Sequence, residues 1–271
     1  MNPAAAVGRH WSIFKIHLIA VVNFRLRALV WFLVGAMNTL IVLLFWWAAL
    51  QANTPGEQVT ELPALTSYYI LLMALSSITI CHIEDDISSL DVQKGDLYQY
   101  LLRPYSYILS KFHEEFVWRL LSGFWAVIML IMLSVVGFNL IVTSDPRIWL
   151  LVIFSTFLGM LCSFFVKVCI GLLSIWLTNI RGFSDLYTIF EIILAGFIVP
   201  LALLPDALQK FALFSPFATY VYYPIRLLTT PLPAGEVLQI LFLQLFWIAI
   251  GWKVSHWLLQ KGIRHYTGVS Q

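Results

Sequence analysis

The chain has 271 residues, of which 61% are hydrophobic and 11% are charged, with a formal net charge of +2. A soluble domain carries roughly 25% charged residues, and the mean hydropathy of this chain is +0.86. This composition excludes a soluble globular protein and predicts an integral membrane protein. The small net charge, spread along the chain, predicts no nucleic-acid partner.

The first element, residues 9–27, mixes apolar side chains with basic ones. This pattern is typical of a helix that lies in the membrane interface. A cleavable signal peptide would need an uninterrupted apolar core, and Asn23 and Arg25 interrupt this one. We therefore expect an N-terminal interfacial helix that leads into the first membrane span.

Six apolar segments are long enough to cross the hydrocarbon core, which takes about 20 residues. The predicted fold is an all-α integral membrane protein, with one transmembrane domain over residues 1–271. The predicted spans are residues 28–50, 64–83, 116–142, 148–176, 186–204 and 237–259.

The segment 205–236, before the last span, is apolar but contains five prolines. Prolines at this density prevent one continuous spanning helix. Non-helical backbone at membrane depth must be buried in protein or face water. We therefore expect short re-entrant helices on the outer side, rather than the alternative of a plain surface loop.

Basic residues predict the orientation, because they favour the cytoplasmic loops. With both termini in the cytoplasm, eleven basic residues lie inside and three outside. The inner set is Arg9, Lys15, Arg25, Arg27, Lys94, Arg103, Lys111, Arg119, Arg181, Lys261 and Arg264, and the outer set is Arg147, Lys210 and Arg226. The predicted location is the plasma (inner) membrane, with several passes.

Residues 84–111, here named the polar segment, separate the second and third spans and are predicted to be cytoplasmic. Ser88 and Asp91 have the spacing of a capping box, and Gly95 is expected to break the helix. Asp96 is expected to cap a short helix over Leu97–Leu102, which the following proline ends. A two-turn helix is marginal alone in water, so it needs a surface, either the bundle or a partner protein.

Charged residues inside spans are costly and therefore candidates for function. Lys167 and Glu191 lie at similar depths, about 14 to 16 Å from the cytoplasmic boundary at 1.5 Å per residue. We expect an ion pair that stabilises the packing of the fourth and fifth spans; the alternative is that Lys167 snorkels and Glu191 faces water. Asn38 in the first span is a candidate for a bond between helices.

Two other kinds of site receive little support. His82 and Asp86 have i, i+4 spacing, but one histidine among carboxylates is a weak ligand set for a transition metal, so no metal site is expected. The chain contains no G-x-x-x-x-G-K-[ST] sequence, which predicts that it has no nucleotide site of its own.

The run from Lys94 to Pro104, in its place after the second of six spans, resembles the cytoplasmic segment of permeases in type-2 ATP-binding-cassette (ABC) exporters. It is most similar to the branch with a Gly-x-Leu turn that leads into Leu-Leu-Arg-Pro. The resemblance covers nearly the whole chain. In this sequence Asp96 precedes Leu97, whereas the family usually places an acidic residue after the leucine.

The resemblance implies that the polar segment is a coupling helix seated in a groove of a separate ATPase subunit, which binds ATP and Mg. The residues implied in coupling are Asp91, Lys94, Gly95, Asp96, Leu97, Leu101, Leu102, Arg103 and Pro104. It also implies a second copy or a related permease, and outward transport of an amphipathic, hydrophobic or lipid-linked solute. Two alternatives stay open: an ion-coupled secondary carrier and a non-transporting membrane scaffold.

Overall fold

The computed structural model describes residues 3–23, 25–52, 62–102, 105–177 and 180–265. Within these ranges the regular elements are helices and no strand is present, so the all-α prediction is confirmed. In chain order the α-helices are α1 Pro3–Asn23, α2 Arg25–Ala52, α3 Leu62–Thr79, α4 Glu84–Asp86, α5 Leu97–Leu101, α6 Tyr107–Val135, α7 Pro146–Leu172, α8 Arg181–Leu194, α9 Asp206–Phe214, α10 Pro216–Tyr220, α11 Tyr222–Thr229 and α12 Ala234–His265. A π-helix, Ile87–Gln93, continues α4, and 3-10 turns lie at Leu173–Ile175 and Leu201–Leu203.

Five helical segments in the described ranges are long and apolar enough to cross a membrane, which confirms a multi-pass membrane protein. They are Leu26–Gln51, Leu62–Gln93, Tyr107–Val135, Pro146–Ile175 and Ala234–His265. The predicted end of the third span, residue 142, is wrong, since the helix that begins at Tyr107 ends at Val135. Gly137, with φ +86°, follows its end, and a left-handed residue stops a helix there.

The prediction of one continuous fifth span over residues 186–204 is also wrong. The helix there is α8, which ends at Leu194, and its 14 residues rise about 21 Å, less than the roughly 30 Å of a hydrocarbon core. Gly196 has φ +89°, and a Cβ at this position would meet the hydroxyl of Tyr68. That hydroxyl donates a 3.0 Å hydrogen bond to the Gly196 carbonyl. A tertiary contact therefore accompanies the end of α8 within an unbroken apolar run.

Helix α7 lies at the centre of the bundle, with α3, α10, α11 and α12 packed against it. A Cβ at Gly159 would lie 2.7 Å from the carbonyl oxygens of Thr219 and Tyr220, so α10 can approach this closely only over glycine. Gln244 of α12, fully buried, accepts from Ser155 Oγ at 3.0 Å and donates to the carbonyl of Thr219 at 3.0 Å. The amide side chain thereby joins α12, α7 and α10.

The proline-rich segment forms three short helices, α9, α10 and α11, and the latter two pack on α7. Pro205 immediately precedes α9 and Pro216 opens α10, positions at which proline favours the start of a helix. Buried residues of this segment, among them Tyr220 and Ile225, belong to the hydrophobic core that α3 and α7 share. The apolar character of the segment therefore reflects packing inside the bundle.

Candidate functional site

The chain is not helical at residues 80–83, between α3 and α4. Neighbouring helices supply hydrogen-bond partners for this break. The amide of Cys81 donates to Ser163 Oγ on α7 at 3.0 Å, and the amide of His82 donates to Glu115 Oε1 on α6 at 3.2 Å. A break of this kind survives near membrane depth because protein groups replace the helical partners.

Arg119 of α6 binds the carbonyl side of the same break. Its guanidinium donates to the carbonyls of Ile80 at 2.6 Å and Ser77 at 3.3 Å, groups that have lost their helical donors. Arg119 Nε also lies 2.9 Å from Glu115 Oε1. One ion pair on α6 therefore binds one amide of the break through Glu115 and the carbonyls at and before the break through Arg119.

Immediately after the break, Glu84 joins the two charged residues that the sequence predicts to pair. Lys167 Nζ lies 3.3 Å from Glu191 Oε2 and 2.7 Å from Glu84 Oε1. All three side chains are buried, and they lie on α4, α7 and α8. We name this group the charged cluster. It connects the start of the polar segment to α7 and α8.

Glu84 was not predicted from the sequence because it begins the acidic run Glu84-Asp85-Asp86, which is typical of the start of a cytoplasmic segment, where negative charge complements a helix N-terminus. A signal was nevertheless available. Glu84 follows the apolar run of the second span directly, so its depth is similar to that of residues near a span end. The three-residue α4 turns Glu84 inward and leaves Asp85 and Asp86 exposed.

Beyond α4, a second buried charge pair holds the polar segment against α6. Lys111 Nζ lies 2.9 Å from Asp91 Oδ2 and 3.3 Å from Glu114 Oε2. Tyr107 Oη donates to Asp91 Oδ2 at 2.6 Å. The predicted capping box is therefore wrong: Asp91 lies inside a π-helix, and its carboxylate binds side chains of α6 rather than a backbone amide at a helix start.

The polar segment also packs on α7 through a close approach. A Cβ at Gly171 would lie 2.7 Å from Ile87 Cβ and 3.1 Å from the carbonyl oxygen of Glu84. Ile87 is fully buried. Glycine at this point of α7 therefore allows the π-helix to lie against it, directly beside the charged cluster.

Gly95, with φ +89°, separates the π-helix from α5, which confirms the predicted helix break. α5 begins at Leu97, one residue after Asp96 as predicted, but ends at Leu101 rather than Leu102. Asp96 makes no side-chain cap; its Oδ1 accepts from Gln99 Nε2 at 3.0 Å. The side-chain capping prediction is wrong because a glutamine in the first turn supplies the donor.

The short helix α5 has one buried side and one exposed side. Leu97 is fully buried in the core formed with α6 and α7, and the rings of Tyr100 and Tyr107 meet edge to face at 5.4 Å. Leu101 and Leu102 are 40% and 81% exposed. Leu97 therefore packs against the bundle, whereas Leu101 and Leu102 are left exposed.

Other predicted residues lie apart from these contacts. Lys94 and Asn38 are exposed, and the proposed bond from Asn38 to another helix stays a prediction. Arg103 and Pro104 lie outside the described residues. His82 precedes α4 in non-helical chain, so it has no helical i, i+4 relation to Asp86. In the part of the chain that the structure describes, no group of three or more metal-ligating residues is placed to hold an ion.

Of the comparisons with known proteins, the one with protein-family models found a match. No curated protein matches the chain. A family model described as ABC-2 family transporter protein matches residues 36–270, a range that includes the polar segment, the charged cluster and α9 to α11. The chain therefore belongs to the ABC-2 family of transporter proteins, and it is a multi-pass membrane permease of an ABC transporter.

Proposed function

We propose that this permease moves an amphipathic, hydrophobic or lipid-linked solute outward, driven by ATP that a separate subunit binds with Mg and hydrolyses. The observation that carries this proposal is the position of α5: Leu97 is buried in the bundle, whereas Leu101 and Leu102, the residue after the helix, are exposed. Two exposed leucines beside a packed anchor form a surface suited to the groove of another protein. Outward direction rests on the resemblance of this segment to that of exporters.

The contacts of the polar segment offer a route for mechanical coupling. Force applied to α5 reaches α6 through the Asp91–Lys111 pair and α7 through Ile87 and Gly171. It reaches α8 through the charged cluster, because Lys167 binds both Glu84 and Glu191. Closure of a bound ATPase would thus move the inner ends of three helices together.

The proposed assembly contains two permease copies, or two related permeases, in the inner membrane, with both termini and the polar segment in the cytoplasm. α2 supports this arrangement, since few of its residues are buried and the large apolar side chains of Leu26, Trp31 and Met37 are exposed. α8 also exposes apolar side chains, among them Leu186 and Phe190. These surfaces suit lipid and a second permease.

Substitution of Leu102 by Glu tests the proposal, with Val136→Glu as a matched control. Leu102 and Val136 are 81% and 82% exposed, but Val136 follows the far end of α6. The tagged chain is co-expressed with the ATPase encoded nearest to its gene, and both co-purification and ATP-dependent efflux are measured.

We expect Leu102→Glu to lose the ATPase and the efflux while Val136→Glu keeps both. Equal retention by the two variants would remove the coupling role of α5. Efflux that follows a pH gradient and needs no ATP would instead support the ion-coupled carrier. If neither ATP nor a pH gradient drives any flux, the scaffold alternative gains.

A further inference from the structure

A polar cleft of about 280 Å³ opens beside the charged cluster. Its lining includes the carboxylates of Glu84 and Glu191 at the buried end and those of Asp85 and Asp185, which are exposed. Four carboxylates share it with two basic side chains, Lys167 and Arg181. The excess of negative charge favours a cationic group.

Two buried atoms of this lining lack hydrogen-bond partners. Glu84 Oε2 and Glu191 Oε1 accept no hydrogen bond within the described chain, although their residues are only 5% and 4% exposed. Lys167 binds the other oxygen of each carboxylate. A buried charged acceptor without a donor is costly, so these two oxygens point to a ligand that brings N–H or O–H donors.

The chemistry of the lining narrows the class of ligand. The two carboxylates belong to different helices, and no metal-ligating group of three or more is present in the described residues. The ligand must carry positive charge and must donate hydrogen bonds to two carboxylates. A compact cation with several N–H donors meets both requirements, and a primary ammonium provides three such donors. A quaternary ammonium carries the same charge but has no donor.

Nearer the start of α8, the same helix that carries Glu191, the lining suits an anionic group next to that ammonium. Arg181 begins α8, and the hydroxyl-bearing Ser184 and Thr188 follow it on the side of α8 that lines the cleft. The outer side of the same helix is apolar, with Phe183, 46% exposed, and Leu186, 50% exposed. One helix thus presents a polar side for a headgroup and an adjacent apolar side for acyl chains.

We propose that this cleft binds the headgroup of an aminophospholipid, with its primary ammonium between the free oxygens of Glu84 and Glu191 and its phosphate toward Arg181. The volume accommodates the headgroup, and the acyl chains lie along the apolar side of α8. The proposal concerns lipid binding and does not depend on the drive or direction of transport.

Competition between lipids that differ only in the methylation of the ammonium tests this proposal on the unaltered chain. The full-length protein is extracted from nanodiscs of equimolar dioleoyl phosphatidylethanolamine and dioleoyl phosphatidylcholine, and retained lipid is counted by native mass spectrometry. We expect phosphatidylethanolamine to be retained about tenfold over phosphatidylcholine, because only the former donates to the two carboxylates. N-methyl and N,N-dimethyl lipids should fall between them in order.

Variants assign the preference to the cleft. Glu84→Gln and Glu191→Gln should each reduce the preference for phosphatidylethanolamine, whereas Asp206→Asn, an exposed carboxylate on α9, should leave it unchanged. Equal retention of the two lipids by the unaltered chain would overturn the proposal. The proposal would also be overturned if both glutamine variants kept the preference for phosphatidylethanolamine, or if Asp206→Asn abolished it.

Discussion

Asp91 and Lys111 form an ion pair of 2.9 Å in which both side chains are almost completely buried, at 2% and 3% exposure. The pair joins the π-helix of the polar segment to the first turns of α6, and Tyr107 donates a further hydrogen bond to the same carboxylate. Burial of two charges becomes tolerable only with such partners. The polar segment is therefore a fixed part of the bundle at this point rather than a loose loop.

Removal of this carboxylate should destabilise the fold. Asp91→Ala removes the carboxylate at 2.9 Å from Lys111 and leaves that of Glu114 at 3.3 Å, and breaking a buried pair costs about 3 to 5 kcal/mol. We expect the low end of that range, measured as a lower midpoint of thermal unfolding in detergent. Asp85→Asn changes an exposed carboxylate of the preceding turn and should shift the midpoint little. If the two variants unfolded together, Asp91 would have no anchoring role.

The charged cluster predicts a specific pattern of non-additive effects. Lys167→Met leaves two buried carboxylates without a cation and should cost several kcal/mol, about 3 to 5. The triple variant Glu84→Gln, Lys167→Met, Glu191→Gln removes all three charges and should recover part of that loss. Chemical unfolding in detergent measures both. A triple variant less stable than Lys167→Met would show that the three side chains do not act as one group.

The packing of the π-helix on α7 predicts the effect of added volume. Gly171→Ala places a Cβ against Ile87 and should cost about 1 to 3 kcal/mol by overpacking. Ile87→Ala in the same chain removes Cγ2, which lies 2.9 Å from the added Cβ, so the double variant should lose less stability than the sum of the two single changes. Gly182→Ala in α8 is the control, since nothing lies within 4 Å of its added Cβ. If Gly171→Ala and Gly182→Ala had the same midpoint of thermal unfolding, the close approach of the π-helix to α7 would be contradicted.

The hydrogen bonds of Gln244 predict that its replacement lowers the stability of the fold, whereas replacement of an exposed glutamine in the same helix does not. Gln244→Leu removes an amide that accepts from Ser155 and donates to the carbonyls of Ser155 and Thr219. The carbonyls left without donors should cost about 1 to 3 kcal/mol. Gln239→Leu, on an exposed face of α12, should unfold at the temperature of the unaltered chain. Equal midpoints for the two variants would mean that Gln244 does not join the helices.

Several features could be predicted because they depend on composition or on neighbours along the chain. Long apolar runs predict spanning helices, and Gly95 predicts the break before α5, since glycine readily adopts positive φ. Depth within a helix follows from residue counting at 1.5 Å per residue. For that reason the sequence alone predicted that Lys167 and Glu191 lie at similar depths in the membrane.

Other features depend on contacts between residues distant in sequence. The break at residues 80–83 carries no proline or glycine, and it is matched by Arg119 and Glu115 on another helix. The end of α8 coincides with Gly196, whose carbonyl Tyr68 binds. Apolar periodicity predicts neither the break nor the helix end, because the side chains that bind the backbone there lie far away in the sequence.

By itself, the sequence determined the class of protein, the presence of long apolar helices and the position of the polar segment, since burial in lipid requires long apolar helices. Only the tertiary structure decided what that segment contacts. It placed Glu84 beside Lys167, turned Leu97 inward and left Leu102 exposed. The reason is that a buried charge is stable only where several helices bring its partners together, and such a meeting is a property of the whole bundle.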